Sequence, residues 1–128
     1  MANDELAVSK GLKMLESVFG AEEKNTIAGM LSTPVINETV THLLGEIWSR
    51  PQLSVRDRRL LVIGLSATLA DANTIRALVT GALINDELND EQLDEILLFL
   101  PFYTGWGKGG SLIKGVELAR NAVKEQKI

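Results

Sequence analysis

Apolar positions recur every three to four residues along most of the chain, which is the period of an amphipathic helix. No run of alternating β-branched residues predicts a strand. Capping residues, glycines and prolines divide the pattern into separate helices. Their expected approximate ranges are 4–19, 21–31, 34–48, 55–70, 72–85, 90–103 and 111 onward. Because neither a low-complexity linker nor an internal repeat interrupts them, residues 1–128 are predicted to form one all-α domain.

Polar residues that cap helices mark three of the predicted starts. Ser54 is followed by Asp57 three residues later, in the spacing of a capping box. Asp71 can cap the next helix, and Asn89 with Gln92 repeats the capping-box spacing. These residues make the helix starts the most firmly predicted features of the chain.

The C-terminal third contains residues that interrupt helices. Pro101 is expected to end or kink the helix that holds it, since proline lacks the backbone N–H that a helix interior needs. The stretch TGWGKGG, residues 104–110, predicts a glycine-rich connection. Ser111 is then expected to start the last helix.

Helices in the middle of the chain are apolar on more than one face, notably over 60–65 and 78–84. A helix that is apolar all round must be buried on all sides, and a chain of this length offers few such places. A homo-oligomer is therefore expected, with Gly64, Ser66 and Ala67 allowing helices to approach closely. The alternative is a helical hairpin centred in the core of a monomer.

Composition and charge exclude several classes of function. The net charge of −4 has both signs scattered, so neither nucleic acid nor an anionic membrane surface is an expected partner. The longest uncharged run, residues 60–70, is shorter than the roughly 20 residues that span a bilayer. No signal peptide is visible in MANDELAVSK, and a cytoplasmic location is expected. With no cysteine, one histidine and no clustered carboxylates, neither a metal nor a cofactor is expected.

Residues 46–70, EIWSRPQLSVRDRRLLVIGLSATLA, resemble the carboxymuconolactone decarboxylase family. Members carry a Trp-Ser-Arg-Pro-x-Leu turn, an arginine-rich helix start and a helix rich in Leu, Val and Ala. The matching positions are Trp48, Ser49, Arg50, Pro51, Leu53, Arg56, Arg58, Leu60 and Leu61. Residues 89–109 are similar to a later family region, with Gly107 where members have proline. The resemblance implies a compact multi-helix fold of the alkylhydroperoxidase D-like type that assembles as a homo-oligomeric ring, a trimer or hexamer.

The resemblance also implies an active-site helix, but this chain lacks the family's reactive residues there. Resembling decarboxylases carry Glu-x-x-x-His on it, and alkylhydroperoxidase D-like relatives carry Cys-x-x-Cys-x-x-x-His. Counting back from Asn89 without gaps puts the histidine at Val79, the glutamate or second cysteine at Ile75, and the first cysteine at Ala72. An acidic residue of the preceding helix falls on Arg59. Thiol peroxidase activity is therefore expected to be absent, because no cysteine remains.

Three polar side chains remain catalytic candidates. Arg59 can hold a carboxylate or an enolate bidentately. His42 lies four residues before Glu46 on one helix face, as an acid–base pair would, and Tyr103 can also handle protons. The structural alternatives are a solvated helix start for the arginine and a packed or surface position for the histidine.

The substrate-binding candidates are Arg76, Thr74, Asn73, Trp48 and Trp106. Arg76 offers a second cation, Thr74 and Asn73 can bond a ligand oxygen near a helix N-terminus, and the tryptophans can line a pocket. Alternatively, the polar residues satisfy the first helical turn and the aromatic residues anchor turns against the core.

Two functions fit these residues. The first is a cofactor-free lyase or isomerase-type enzyme acting on a small anionic or lactone-like substrate. The alternative is a non-catalytic binding or structural subunit that keeps the family's oligomer. Convergence of Arg59, Arg76, Tyr103 and His42 on one cavity favours the enzyme, whereas an apolar or filled cavity favours the alternative.

Overall fold

A computed structural model of the chain describes residues 2–126, and within that range it contains helices and no strand. Along the described part of the chain, eight α-helices and one π-helix follow one another. They are α1 Ala2–Phe19, α2 Ala21–Ala28, α3 Pro34–Glu38, the π-helix Thr39–Ile47, α4 Val55–Thr68, α5 Ala72–Ile84, α6 Asp90–Phe99, α7 Pro101–Thr104 and α8 Trp106–Lys124. The predicted all-α class is therefore confirmed for the described residues. None of the helices within 2–126 combines the length and apolarity that crossing a bilayer requires.

Helix α5 lies at the centre and packs against α1, α4 and α8. Its residues Ile75, Leu78, Val79 and Ala82 are fully buried. Most of the apolar surface of this helix is thus covered within one subunit, as in the monomeric alternative, while Leu83 near its end is only partly buried.

Helix α4 behaves differently, because only part of its apolar surface is covered. Ile63, Ser66 and Ala67 are buried inside the subunit, so the two small residues are not available for close approach of another copy. The outward residues Leu61, Leu65 and Leu69 are 65%, 60% and 70% exposed. Spaced four apart, these leucines form a continuous stripe, called here the α4 stripe.

The capped helix starts predicted at Ser54 and Asn89 are confirmed in atomic detail. The hydroxyl of Ser54 accepts a hydrogen bond from the backbone N–H of Asp57 at 3.0 Å. Asn89 and Gln92 form a reciprocal capping box, each side chain accepting from the other's backbone N–H, at 2.8 and 2.9 Å. Pro101 ends α6 and occupies the first turn of α7, where its missing N–H costs no hydrogen bond.

The prediction for residues 104–110 was wrong, since most of this stretch is helical and α8 begins at Trp106 instead of Ser111. Gly105 alone supplies the turn, with a φ of 91° that favours glycine. Gly109 lies buried beside the ring of Pro101, and a Cβ built on it would be in ordinary van der Waals contact with that ring at 3.5 Å. The glycine-rich composition suggested a loop, whereas the residues after Gly105 continue into α8.

Candidate functional site

A pocket of about 390 Å³ opens between α2, the π-helix and the first turns of α5. This volume falls within the roughly 300–1,000 Å³ of small-molecule sites. Its lining is mainly apolar, with Phe19 from α1, Leu43 and Leu44 from the π-helix, and Trp48 just beyond it. Two wider grooves of about 570 Å³ each, along α1 and beside Arg120, are lined largely by charged surface side chains.

The π-helix shapes one wall of this pocket. Trp48 donates its backbone N–H to the carbonyl of Leu43 at 2.9 Å, five residues back, which is the spacing of a π-helical turn. Close contact with α1 accompanies this segment, because a Cβ on Gly11 would lie 1.9 Å from the carbonyl oxygen of Val40. Short π-helical segments are frequent at functional sites.

Among the described residues that line the pocket, two are charged, namely Glu23 from α2 and Arg76 from α5. Glu23 Oε2 lies 4.0 Å from Arg76 Nη2, and the two side chains are 38% and 27% exposed. A direct charge-assisted hydrogen bond would be about 2.7–2.9 Å long. The pair is therefore loosely associated, and guanidinium N–H groups of Arg76 remain available to a ligand.

The first turn of α5 adds neutral polar groups to the pocket. Thr74 donates its backbone N–H to Asp71 Oδ1 at 3.1 Å, and its hydroxyl donates to Asp71 Oδ2. These two bonds, the hydroxyl's first, lower the pKa of Asp71 below its ordinary value, because they stabilise the charged carboxylate. Asn73 lies exposed beside Thr74 on the pocket lining.

Four of the five predicted substrate-binding residues meet at this pocket, namely Arg76, Thr74, Asn73 and Trp48. Trp106 does not line it. This residue is 73% exposed in the first turn of α8, where its ring meets Phe102 edge-on at a centroid distance of 6.2 Å.

The structure does not bring His42 or Tyr103 to the pocket lining. His42 Nδ1 lies 3.1 Å from Glu46 Oε2, so the predicted pair forms, but both side chains are more than half exposed. Tyr103 is 78% exposed and packs on the ring of Phe99 at 5.2 Å.

Arg59 is fully buried and every one of its N–H groups is hydrogen-bonded, so it does not belong to a solvated helix start. Its Nε and Nη2 donate to the two carboxylate oxygens of Glu87 at 2.8 and 2.9 Å. The remaining donors reach the carbonyls of Ser17 and Val18 at the end of α1 and of Leu78 in α5. A guanidinium has five N–H groups, and here none is left for a ligand.

Two of the positions expected to correspond to the family's reactive residues lie in the core. Ile75 and Val79 are fully buried on α5. Ile75 presses so closely on α8 that a Cβ on Gly115 would lie 2.6 Å from its Cγ2. Apolar packing thus occupies the space beside these positions, and the pocket lies against the residues Asn73, Thr74, Arg76 and Ala77 instead.

Sequence reasoning missed Glu23. It lies 53 residues before Arg76, and an acidic residue in the first turn of a helix is ordinarily explained by the helix dipole. The two come together because α2 and α5 both pack against α1.

Residues 34–112 match the carboxymuconolactone decarboxylase family. The match covers more than half of the chain, which therefore belongs to this family. A comparison with curated proteins found no match. The matched span contains the π-helix and α4 to α7, whereas α1 and α2, with Glu23, precede it.

Proposed function

We propose that this carboxymuconolactone decarboxylase-family protein binds a small, mainly apolar molecule with a neutral carbonyl or lactone group in the pocket beside Arg76. The observation that carries the proposal is an arginine in a mainly apolar pocket. Its N–H groups are not all hydrogen-bonded to Glu23, so they can bind a ligand. Asn73, which is exposed on the same lining, can donate a further hydrogen bond to this polar group.

The charges of the pocket give an anion little net advantage over a neutral ligand. Glu23 and Arg76 balance each other, and any anion bound at Arg76 would also lie near the carboxylate of Glu23. Two like charges about 4 Å apart repel by about 1 kcal/mol in water and about 4 kcal/mol at a protein surface. A lactone or ketone oxygen accepts hydrogen bonds from Arg76 without this repulsion.

Binding is better supported than the predicted lyase or isomerase chemistry of Arg59, His42 and Tyr103. Arg59 has no unused donor, and the other two side chains lie off the pocket lining. The function proposed here keeps the lactone-like substrate class of the sequence prediction and moves its recognition to Arg76.

Thermal unfolding with a panel of γ-lactones, cyclic ketones and carboxylates of matched size tests this proposal. A ligand at a hundredfold excess over its dissociation constant stabilises the folded protein by about 2.7 kcal/mol. Neutral carbonyl compounds should stabilise the wild type and the control Arg50→Met, an exposed arginine outside the pocket, but not Arg76→Met. The proposal fails if no neutral carbonyl compound stabilises the wild type, or if Arg76→Met responds equally.

We further propose that the protein is a homo-oligomer that uses two exposed apolar faces. One is the α4 stripe. The other, called here the aromatic face, consists of Phe99, Phe102, Tyr103 and Trp106, which are 56–78% exposed. Two separate faces on one subunit allow a closed ring, as in the predicted trimer or hexamer.

The accessible surface supports association with a second copy. It measures 7662 Å², whereas a monomer of this mass is expected to expose about 6,700 Å². The excess of about 1,000 Å² is similar to the roughly 800 Å² that each partner buries in a standard interface.

Sedimentation velocity measures the assembly directly. Leu65→Glu and Phe102→Glu should each lower the oligomer size, while Leu6→Glu, at an exposed leucine of α1 outside both faces, should not. A wild type that sediments as a monomer at high concentration would disprove the oligomer.

A further inference from the structure

We infer that Glu23 transfers a proton to and from a carbon of the carbonyl compound that Arg76 holds. This inference rests on the proposed binding function and adds a reaction to it. Among the described residues that line the pocket, Glu23 is the one carboxylate and Arg76 the one cation. The other polar lining residues, Thr39, Asn73 and Thr74, are neutral and do not exchange protons near neutral pH.

The spacing of the pair suits this chemistry. Glu23 Oε2 and Arg76 Nη2 are 4.0 Å apart, too far for a strong direct hydrogen bond and close enough for one small group to contact both. In a carbonyl compound the α-carbon is two bonds from the oxygen. When the oxygen accepts from Arg76, the α-carbon can therefore lie within reach of Glu23.

The carboxylate of Glu23 lies on a largely apolar pocket that a ligand can fill. Its side chain is partly covered, at 38% exposure, and faces a pocket walled by Phe19, Ile27 and other apolar residues. A bound ligand displaces water from this space, which strengthens the interaction of Arg76 with a developing negative charge.

The reaction balances without a co-reactant. The Glu23 carboxylate removes a proton from the α-carbon, and the C–H electron pair moves toward the carbonyl oxygen to give an enolate. Arg76 donates hydrogen bonds to that oxygen. In a β,γ-unsaturated lactone, Glu23 then returns the proton to the γ-carbon, so the double bond moves into conjugation and the carboxylate is regenerated.

Glu23 is not one of the positions that correspond to the family's reactive residues. It lies before the matched span of 34–112, whereas those positions hold the buried residues Ile75 and Val79. The proposed base is therefore a carboxylate contributed by α2, next to Arg76 of α5.

The test follows α-angelica lactone, a β,γ-unsaturated γ-lactone, by proton NMR in D₂O. The wild type should accelerate both loss of the α-proton signal and formation of the conjugated isomer. Glu23→Gln should lower the rate at least tenfold, since general acid–base catalysis contributes about 10²–10⁴-fold. Glu22→Gln, the neighbouring exposed carboxylate on α2, is the matched control and should keep the wild-type rate.

Stabilisation of each variant by the same lactone separates the two proposals. If the lactone stabilises the wild type and Glu23→Gln but neither catalyses exchange above buffer, the proton-transfer inference is wrong and the binding function stands. Equal exchange rates in wild type and Glu23→Gln also refute the inference. If the lactone does not stabilise the wild type, the binding function fails for this class of ligand and the inference fails with it.

Discussion

Arg59 on α4 and Arg76 on α5 each face a glutamate from a distant part of the chain, and the two pairs differ in burial, distance and remaining donors. Arg59 meets Glu87 at 2.8 and 2.9 Å with no exposure of its own side chain. Arg76 lies 4.0 Å from Glu23, and both side chains are partly exposed at a pocket. Arg59 therefore has no N–H group left for a ligand, whereas Arg76 has N–H groups that a ligand can bind.

The comparison shows that unused hydrogen-bonding capacity, more than charge itself, distinguishes a binding arginine from a structural one. Arg59 satisfies carbonyls at the end of α1 that have no partner within their own helix, and it ties them to α5 and Glu87. Arg76 makes no comparable set of bonds. Removing each arginine should therefore affect different properties of the protein.

Arg59→Met is expected to cause the largest loss of stability. It leaves Glu87 and the carbonyl of Val18 without this partner, and breaking a buried ion pair from one side costs about 3–5 kcal/mol. Urea unfolding of wild type and variant measures the difference. The double variant Arg59→Met, Glu87→Leu should recover part of the loss because no uncompensated carboxylate remains. A loss below about 1 kcal/mol would contradict the structural role.

Gly81→Ala should disturb the same region by a smaller amount. A Cβ at Gly81 would lie 2.0 Å from the carbonyl oxygen of Val18 and 2.7 Å from Arg59 Nη1. Overpacking of this kind costs about 1–3 kcal/mol. Gly110→Ala is the matched control, because nothing lies within 4 Å of its Cβ and alanine favours the helix by up to about 1 kcal/mol. Equal unfolding midpoints for the two variants would show that the close approach at Gly81 is not required.

Asp71→Ala should give the smallest loss of stability, about 1 kcal/mol at neutral pH, because it removes the cap of the helix that carries Arg76. The folded-state pKa of Asp71 is lowered from 3.8 by its bonds to Thr74. Its charge therefore adds stability above that ordinary pKa, and the contribution disappears as the pH falls through the lowered value. The difference in the free energy of unfolding between wild type and variant, measured by urea unfolding, should be smaller near pH 3 than at pH 7.

Asn89→Ala is the control for this pH dependence. This substitution removes a cap of the same kind, but asparagine does not titrate. The difference in the free energy of unfolding between wild type and Asn89→Ala should therefore not decrease in the same way as the pH falls. If the difference in the free energy of unfolding between wild type and Asp71→Ala is the same at both pH values, the charge of Asp71 does not contribute to stability.

Local patterns predicted the helices well because caps and helix breakers act over a few residues. Ser54, Asp71 and Asn89 accept the predicted backbone hydrogen bonds, and Pro101 separates α6 from α7. The glycine-rich stretch failed as a prediction because a single glycine, Gly105, makes the turn and the glycines after it are part of α8.

The pocket could be predicted only in part. Asn73, Thr74 and Arg76 lie on one helix start, so sequence proximity already grouped them. Glu23 joins them through the packing of α2, and Glu87 reaches Arg59 from 28 residues away in the chain. Each glutamate determines how many N–H groups of its arginine remain available to a ligand. Neither glutamate is close enough in sequence to be paired with its arginine by spacing.

The most direct test of the contrast between the two arginines is an amide chemical-shift titration of the ¹⁵N-labelled protein with a γ-lactone. The account predicts that the largest shifts fall on residues 73–77, on Glu23 and Ile27, and on the π-helix segment from Thr39 to Leu44. Residues around Glu87 should shift little. Largest shifts around Arg59 and Glu87, or in the groove beside Arg120, would contradict the assignment of the ligand site to Arg76.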